Sequence, residues 1–223
     1  MFITFEGPDG SGKTTQIRAL YEYLVQRGLD VVLTREPGGT SIGDQIRAVL
    51  HDVANTDMLQ NTEILLYSAS RAQLVGQVIR PALAQGRIVL CDRYADSTLA
   101  YQGYGHRVDL RILEAITDFA TGGLKPDLTV YLDLPVAEGL RRKRAAFQAG
   151  KSELNRMDRK EIAFHERARQ GYLSLAAREP GRWLVIDAKR SISAIQADIR
   201  KCVDELLARS NLTESDRAKR RQS

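Results

Sequence analysis

"FITFEGPDGSGKTT" spans residues 2–15, and the order of its parts decides the fold. "FITFE" (2–6) is an apolar run rich in β-favouring side chains. Gly7, Gly12, Lys13 and Thr14 then follow the spacing G-x-x-x-x-G-K-S/T. Beyond them Ile17, Leu20, Tyr21 and Leu24 recur at i, i+3, i+4 and i+7, one face of a helix. Strand, glycine loop and helix in that order form a cradle for a di- or triphosphate. Glycines let backbone N–H groups turn inward, and the helix N-terminus adds its positive end. Lys13 reaches the β- and γ-phosphates, and the Thr14 hydroxyl is placed for Mg²⁺. Two features of this loop need explaining: it carries one carboxylate, Asp9, and no arginine.

Working outward, four more short runs read as strands: "DVVLT" (30–34), "RIVLC" (87–91), "LTVYL" (128–132) and "WLVID" (183–187). They are nearly continuous in apolar residues, as strands buried on both faces are. Helical patterns separate them, including Ile192, Ile195, Ile199, Cys202 and Leu206 near the end, and Gly28 and Gly86 stand where helices stop. The alternation predicts an α/β fold: a doubly wound, five-stranded parallel sheet flanked by helices, with ligands at the carboxyl ends of the strands. At 223 residues and 43% hydrophobic, the chain suffices for one domain, expected over 1–210. "NLTESDRAKRRQS" (211–223) lacks an apolar stripe and is expected to be a disordered basic tail.

Two distant cysteines, Cys91 and Cys202, point to a reducing compartment rather than a disulfide framework. No leader-like segment or run of 18 apolar residues is visible, so the expected setting is cytoplasmic, with no membrane partner. The net charge of +5 is uneven: residues 141–169 hold ten Lys/Arg against four Asp/Glu, and the remainder, tail aside, is slightly acidic. Such a segment fits a phosphate-bearing partner, nucleotide or nucleic acid, and also fits a solvated helix face.

Asp92 ends the apolar strand of "RIVLCDRY", the position of a metal-side carboxylate, although an Asp there also caps helices. Arg93 next to it is a cation beside the phosphate path or an ion pair at the sheet edge. Tyr67 and Arg71 lie at i, i+4 on one helix face, where a ring stacks on a flat base and a guanidinium donates to its carbonyl. On its own that pair also reads as packing plus a surface charge. "TREPGGT" (34–40) is a rigid turn after the second strand.

"FEGPDGSGKTTQ", "TREPGGT", "YSASRAQL", "CDRYADSTLAYQG" and "KPDLTVYLDLP" together resemble the motif set of bacterial thymidylate kinases, in order and spacing, over residues 2–208. The resemblance implies ATP-dependent phosphorylation of dTMP to dTDP in a P-loop nucleoside-monophosphate-kinase fold, Mg²⁺ as cofactor, and a homodimer that needs no nucleic acid. It makes Gly7, Pro8, Asp9, Gly10, Ser11, Gly12, Lys13, Thr14 and Thr15 the ATP loop, with Thr14 and Asp92 on the metal. It assigns Glu36, Pro37, Arg47, Tyr67, Arg71, Arg93, Thr98, Tyr101 and Gln102 to dTMP. Tyr67 lies against thymine, Arg71 reaches O4, and Thr98 and Gln102, at i, i+4, flank the base edge. The Tyr101 ring lies under C2′, where a 2′-hydroxyl clashes. Asp9 accepts a hydrogen bond from the 3′-hydroxyl.

Some family members carry an arginine inside the loop, where this chain has Gly10. The basic segment after the fourth strand resembles the family's mobile helical lid, expected here over about 141–160 and longer than the usual pattern. The resemblance makes Arg156 in "LNRMD" the catalytic arginine, with Arg142 and Arg144 on adenine or the donor phosphates. Three rival readings are a small GTPase, which lacks its N-K-x-D element here, a nucleic-acid-binding ATPase, and a kinase for another small acceptor.

Overall fold

A computed structural model describes residues 1–150 and 160–221, with side chains as far as 209. Five strands form one all-parallel sheet: β1 (Phe2–Glu6), β2 (Val31–Arg35), β3 (Ile88–Asp92), β4 (Leu128–Asp133) and β5 (Trp183–Asp187), in spatial order β2-β3-β1-β4-β5. The apolar runs fall where the sequence places them, shifted by one residue in β2 and β3. Asp92 is the last residue of its strand, as the sequence reading has it. Phe5 is level with Asp92 on one side and with Val130 on the other, so the carboxyl ends of the three central strands line up.

Alternate residues of these strands serve opposite faces. Ile3, Phe5, Ile88, Leu90, Leu128 and Val130 bury against α1 (Lys13–Gln26) and α9 (Ile192–Arg221), through Ile17, Leu20, Leu24, Ile195, Ile199 and Val203. Phe2, Val89 and Cys91 face the other way, against α3 (Gln60–Leu74), the π-helical turn Val75–Ile79 and α4 (Arg80–Ala84). A third cluster joins Tyr131 and Trp183 to Ala100 and to Tyr172 and Leu175 of α8 (Ile162–Arg178). Each fully buried aliphatic or aromatic side chain contributes about 1.5–3 kcal/mol by leaving water, so a sheet covered on both faces is the stable outcome of this pattern. Gly28 and Gly86 end α1 and α4 at φ +77° and +75°.

The remaining helices are α2 (Ser41–His51), α5 (Ala95–Thr98), α6 (Leu110–Thr121) and α7 (Val136–Gln148). Of these, α2, α5 and α7 contribute to the cleft. Between α5 and α6 the backbone forms a π-helical stretch, Leu99–Gly105. The first part of the expected lid is the continuation of α7. Residues 151–159, with Arg156, lie outside the described residues. The α9 backbone is helical through 211–221, where the sequence reading expects disorder, and its side chains from 210 on lie outside the description.

Candidate active site

The loops leaving β1 and β3 lie side by side, tied by a 2.9 Å bond from Arg93 N to Phe5 O. They open into a cleft of about 1000 Å³ bounded by α2, α3, the π-helical stretch, α7 and α8.

At one end is the glycine loop. Gly7 (φ +140°) passes so close to β4 that a Cβ there would sit 2.7 Å from Leu132 O. Gly10 (φ +81°) is pinned from outside: a Cβ would meet the Gly139 carbonyl of α7 at 2.6 Å and Arg142 Cβ at 3.1 Å. This explains the absent arginine, because α7 occupies the space a side chain at position 10 needs. The α1 N-terminus has Gly12 as N-cap with no side-chain cap, leaving its first N–H groups for an anion. Lys13 Nζ donates to Gly7 O (2.9 Å) and Pro8 O (3.0 Å). Burial, with the Arg93 guanidinium nearby, brings its ammonium down to about 8, against the pull of Asp9, Asp92 and Glu6.

Asp9 is the meeting point of three cations. Arg93 Nη2 donates to Oδ1 at 2.8 Å, Lys143 Nζ stands 3.4 Å from Oδ2, and Lys13 Nζ is 3.8 Å from Oδ1. Burial raises the Asp9 pKa, but these charges overcome it and hold the carboxyl well below the usual range. Arg93 adopts φ +70°, a left-handed turn rare outside glycine. The turn sends its guanidinium over the Tyr101 ring, 5.2 Å from the centroid, and back to the glycine loop. Thr14 Oγ1 lies 3.4 Å from Asp92 Oδ2.

At the other end Arg71, 1% exposed, crosses the cleft floor. Its Nε donates to Glu36 Oε2 (2.8 Å), and its Nη2 to Tyr94 O (3.2 Å) and Thr98 Oγ1 (3.1 Å). Arg71 Nη1 and Glu36 Oε1 are buried without a hydrogen-bond partner. Burial pushes the Glu36 carboxyl up to about 7 in spite of Arg71. Buried polar atoms of this kind are rare unless a ligand or water completes them. Arg47 leans over from α2 and donates to Pro37 O at 3.0 Å.

The structure brings almost all of the sequence-derived residues to this cleft. Gly7 and Ser11 lie behind the loop rather than on its lining, and Arg144 is exposed on α7, off the cleft. Thr98, Tyr101 and Gln102 all line it. The helical i, i+4 spacing expected for Thr98 and Gln102 is replaced by i→i+5 bonding, as in His106 N to Tyr101 O (3.0 Å), which widens the turn. Arg93 is not an ion pair at the sheet edge; its partner is Asp9 in the loop.

Several residues of the site were not singled out from the sequence. Lys143 belonged to the noted basic run, but only the packing of α7 shows which cation of that run faces Asp9. Arg35 and His51 also line the cleft. Burial and Arg47 lower the His51 pKa to about 4. Glu6, fully buried, accepts from Tyr94 N (2.8 Å), Ser97 Oγ (2.6 Å) and Tyr172 OH (2.7 Å), joining β1, the β3 loop and α8. Nothing in a strand pattern distinguishes such a carboxylate from an ordinary strand end.

Comparison with known proteins agrees over nearly the whole chain. Residues 5–199 match the family model described as "Thymidylate kinase". The thymidylate kinase of Roseiflexus sp. (strain RS-1) is 54% identical over 215 residues, covering 93% of this chain and 95% of the relative. That of Herpetosiphon aurantiacus is 53% identical over 208 residues, covering 84% and 88%. The crystal structure of thymidylate kinase from Ehrlichia chaffeensis superposes with a TM-score of 0.73 at 34% identity, covering 92% of this chain and 98% of that one. With the phosphate loop, the parallel sheet and the cleft agreeing with sequence identity above one half, this chain belongs to the thymidylate kinase family.

Proposed function

We propose that this chain transfers the γ-phosphoryl group of ATP to the 5′-phosphate of dTMP, giving dTDP and ADP by in-line displacement. The observation that carries the reading is the two-ended cleft: a phosphate loop at one end and, at the other, the buried Arg71 with an unpartnered N–H. The donor triphosphate lies on the loop N–H groups and Lys13, with Arg142 of α7 toward its base. Arg142 is already fixed between Glu138 (2.6 Å) and Ala188 O (3.2 Å). The acceptor lies across Arg71, Tyr67, Thr98 and Gln102, its phosphate toward Arg93 and Arg47, its sugar over Tyr101.

Asp9, kept ionised by its cations, is an acceptor-only group and suits the 3′-hydroxyl of dTMP. It also holds Arg93 beside the phosphate path. The attacking phosphate oxygen carries no proton that must be removed, so the chain's work is positioning and charge balance. Thr14 and Asp92 offer hard oxygen donors close together, a set that fits Mg²⁺, which takes one or two protein oxygens and completes its shell with phosphates and water. When bound, Mg²⁺ neutralises charge on the donor phosphates. Arg156 supplies the lid cation.

No helix among the described residues is long and apolar enough to cross a membrane, and Cys91 and Cys202 are free thiols, which fits a cytoplasmic enzyme. Ile42 and Val49 on α2, Leu65 on α3, and Ile112 and Phe119 on α6 are exposed apolar residues on helices packed together, which supports a homodimer across that face. Phe119→Asp should then move the sedimenting species from dimer to monomer. The activity is tested by phosphorylation of an acceptor panel with ATP–Mg²⁺, with and without added DNA. The expected order is dTMP best, dUMP weaker, CMP and AMP poor, with no effect of DNA. Equal rates on AMP and dTMP would sink the proposal.

A further inference from the structure

Glu63 sits in the first turn of α3 and is buried, yet it plays no part in the reading above. It stands four residues before Tyr67 and eight before Arg71, so the three follow one another along one face of the helix. Its Oε1 accepts a hydrogen bond from Gln102 Nε2 at 2.8 Å, both groups buried. His106 Nε2, from the residue that follows the same π-helical stretch, is 3.6 Å from the same oxygen.

The chemistry of this contact decides something that packing alone does not. An amide side chain has two nearly isosteric ends, a donor and an acceptor, and can stand either way round. A carboxylate accepts only. Facing Glu63, Gln102 must present its nitrogen to it, and its Oε1 is then the end left for the cleft that Gln102 lines. Arg71, lining the same cleft, fixes a second point in the opposite sense: with Nε and Nη2 engaged, its remaining buried group, Nη1, is a donor. At these two points the wall offers one donor and one acceptor. Thymine and uracil present O4, an acceptor, beside N3–H, a donor, and match both. Cytosine presents N4–H₂, a donor, beside N3, an acceptor, and meets like with like at both points.

We infer that Glu63 is a specificity-determining positioning residue, which excludes cytosine nucleotides by fixing the orientation of the Gln102 amide. The inference rests on the thymidylate kinase reading. If Glu63 loses its acceptor-only character, the Gln102 amide turns over freely. The wall then presents either end to the base, and half of the barrier to cytosine disappears.

The test is Glu63→Gln, an isosteric change that keeps a polar partner but permits both amide orientations. kcat and KM are measured for dTMP, dUMP and dCMP in the parent and the variant. The expected result is a fall of at least about tenfold in the dTMP/dCMP ratio of kcat/KM, since hydrogen-bonding walls discriminate by unpaired polar groups. The change should sit mainly in KM. The dTMP/dUMP ratio should stay within about twofold, because the two bases share this edge. Equal losses on all three substrates mean that Glu63 only staples α3 to the π-helical stretch, and overturn the inference. An unchanged dTMP/dCMP ratio overturns it too. A parent enzyme that does not phosphorylate dTMP refutes the functional reading itself, a separate outcome. If Glu63→Gln fails to fold, Glu63→Asp withdraws the acceptor by one methylene. The dTMP/dCMP ratio should again fall, by less, and no fall overturns the inference.

Discussion

Adding one methyl group at Gly10 is a direct test of how this molecule does without an arginine in its phosphate loop. Gly10 has φ +81°, and its missing Cβ would lie 2.6 Å from the Gly139 backbone oxygen and 3.1 Å from Arg142 Cβ. Two effects add in Gly10→Ala. A non-glycine residue in the left-handed region costs about 1–2 kcal/mol. Forcing a methyl against backbone that cannot rotate away costs roughly 1–3 kcal/mol more. The sum, about 2–5 kcal/mol, corresponds in a chain of this size to a fall in Tm of roughly 4–20 °C. Gly86→Ala separates the two: Gly86 has φ +75° with nothing within 4 Å of its Cβ position, so it should show the strain alone. The clash is relieved by moving α7 outward, which carries Lys143 and Arg142 off the cleft. Displacements approaching an ångström cost up to about 10²-fold in catalysis, so kcat/KM for dTMP should drop at least about tenfold. Gly86→Ala, far from the cleft lining, should leave it unchanged. Differential scanning calorimetry and steady-state kinetics on the two variants give the answer. If Gly10→Ala loses no more stability than Gly86→Ala and keeps full activity, α7 does not close the position. The absent arginine would then have some other cause.

Asp9→Asn keeps shape but removes the charge that Arg93, Lys143 and Lys13 share, and should lower kcat/KM by about 2–4 kcal/mol of transition-state stabilisation with little change in ATP binding; turnover within about threefold of the parent would contradict the role given to it. Arg156→Ala should cut kcat by at least about 10²-fold at saturating ATP while leaving KM for dTMP in place. If Arg142→Ala is the crippled variant instead, the lid mechanism stands with a different residue. Burial, opposed by Arg93, raises the Glu6 carboxyl from 4.5 to about 7, so between those pH values the folded chain holds a proton that the unfolded chain has released. Stability from this group therefore falls as pH rises through that window, by at most about 1.4 kcal/mol per pH unit, and levels off above it. Glu6→Gln should flatten the dependence of Tm on pH there, and an unaltered slope would refute the assignment.

The sequence by itself determined the sheet and the phosphate end of the site. Five buried strands carry their identity in local composition, and the glycine loop carries its own in spacing, because backbone N–H groups, a helix N-terminus and Lys13 are all within eight residues of one another. Through the resemblance of its motifs, it also singled out Tyr67, Arg71, Thr98, Tyr101 and Gln102, which the fold gathers into the same cleft. What it did not contain was the relative placement of elements distant in the chain. That Gly10 abuts Gly139, that Lys143 rather than Arg144 turns toward the cleft, and that Arg93 folds back onto Asp9 depend on how α7 and the β3 loop pack, a phase that no local pattern encodes. The π-helical stretch at 99–105 is a backbone adjustment made for packing against α8, invisible to a 3.6-residue periodicity. Glu63 is the clearest case. In sequence it is one acidic residue in the first turn of an ordinary helix; only when α3 lies against residues 99–105 does its carboxylate meet Gln102 and acquire a chemical consequence. Local periodicity reports which face of an element avoids water, whereas the pairing of buried polar groups is a property of the assembled core, where each donor must find its acceptor across the fold.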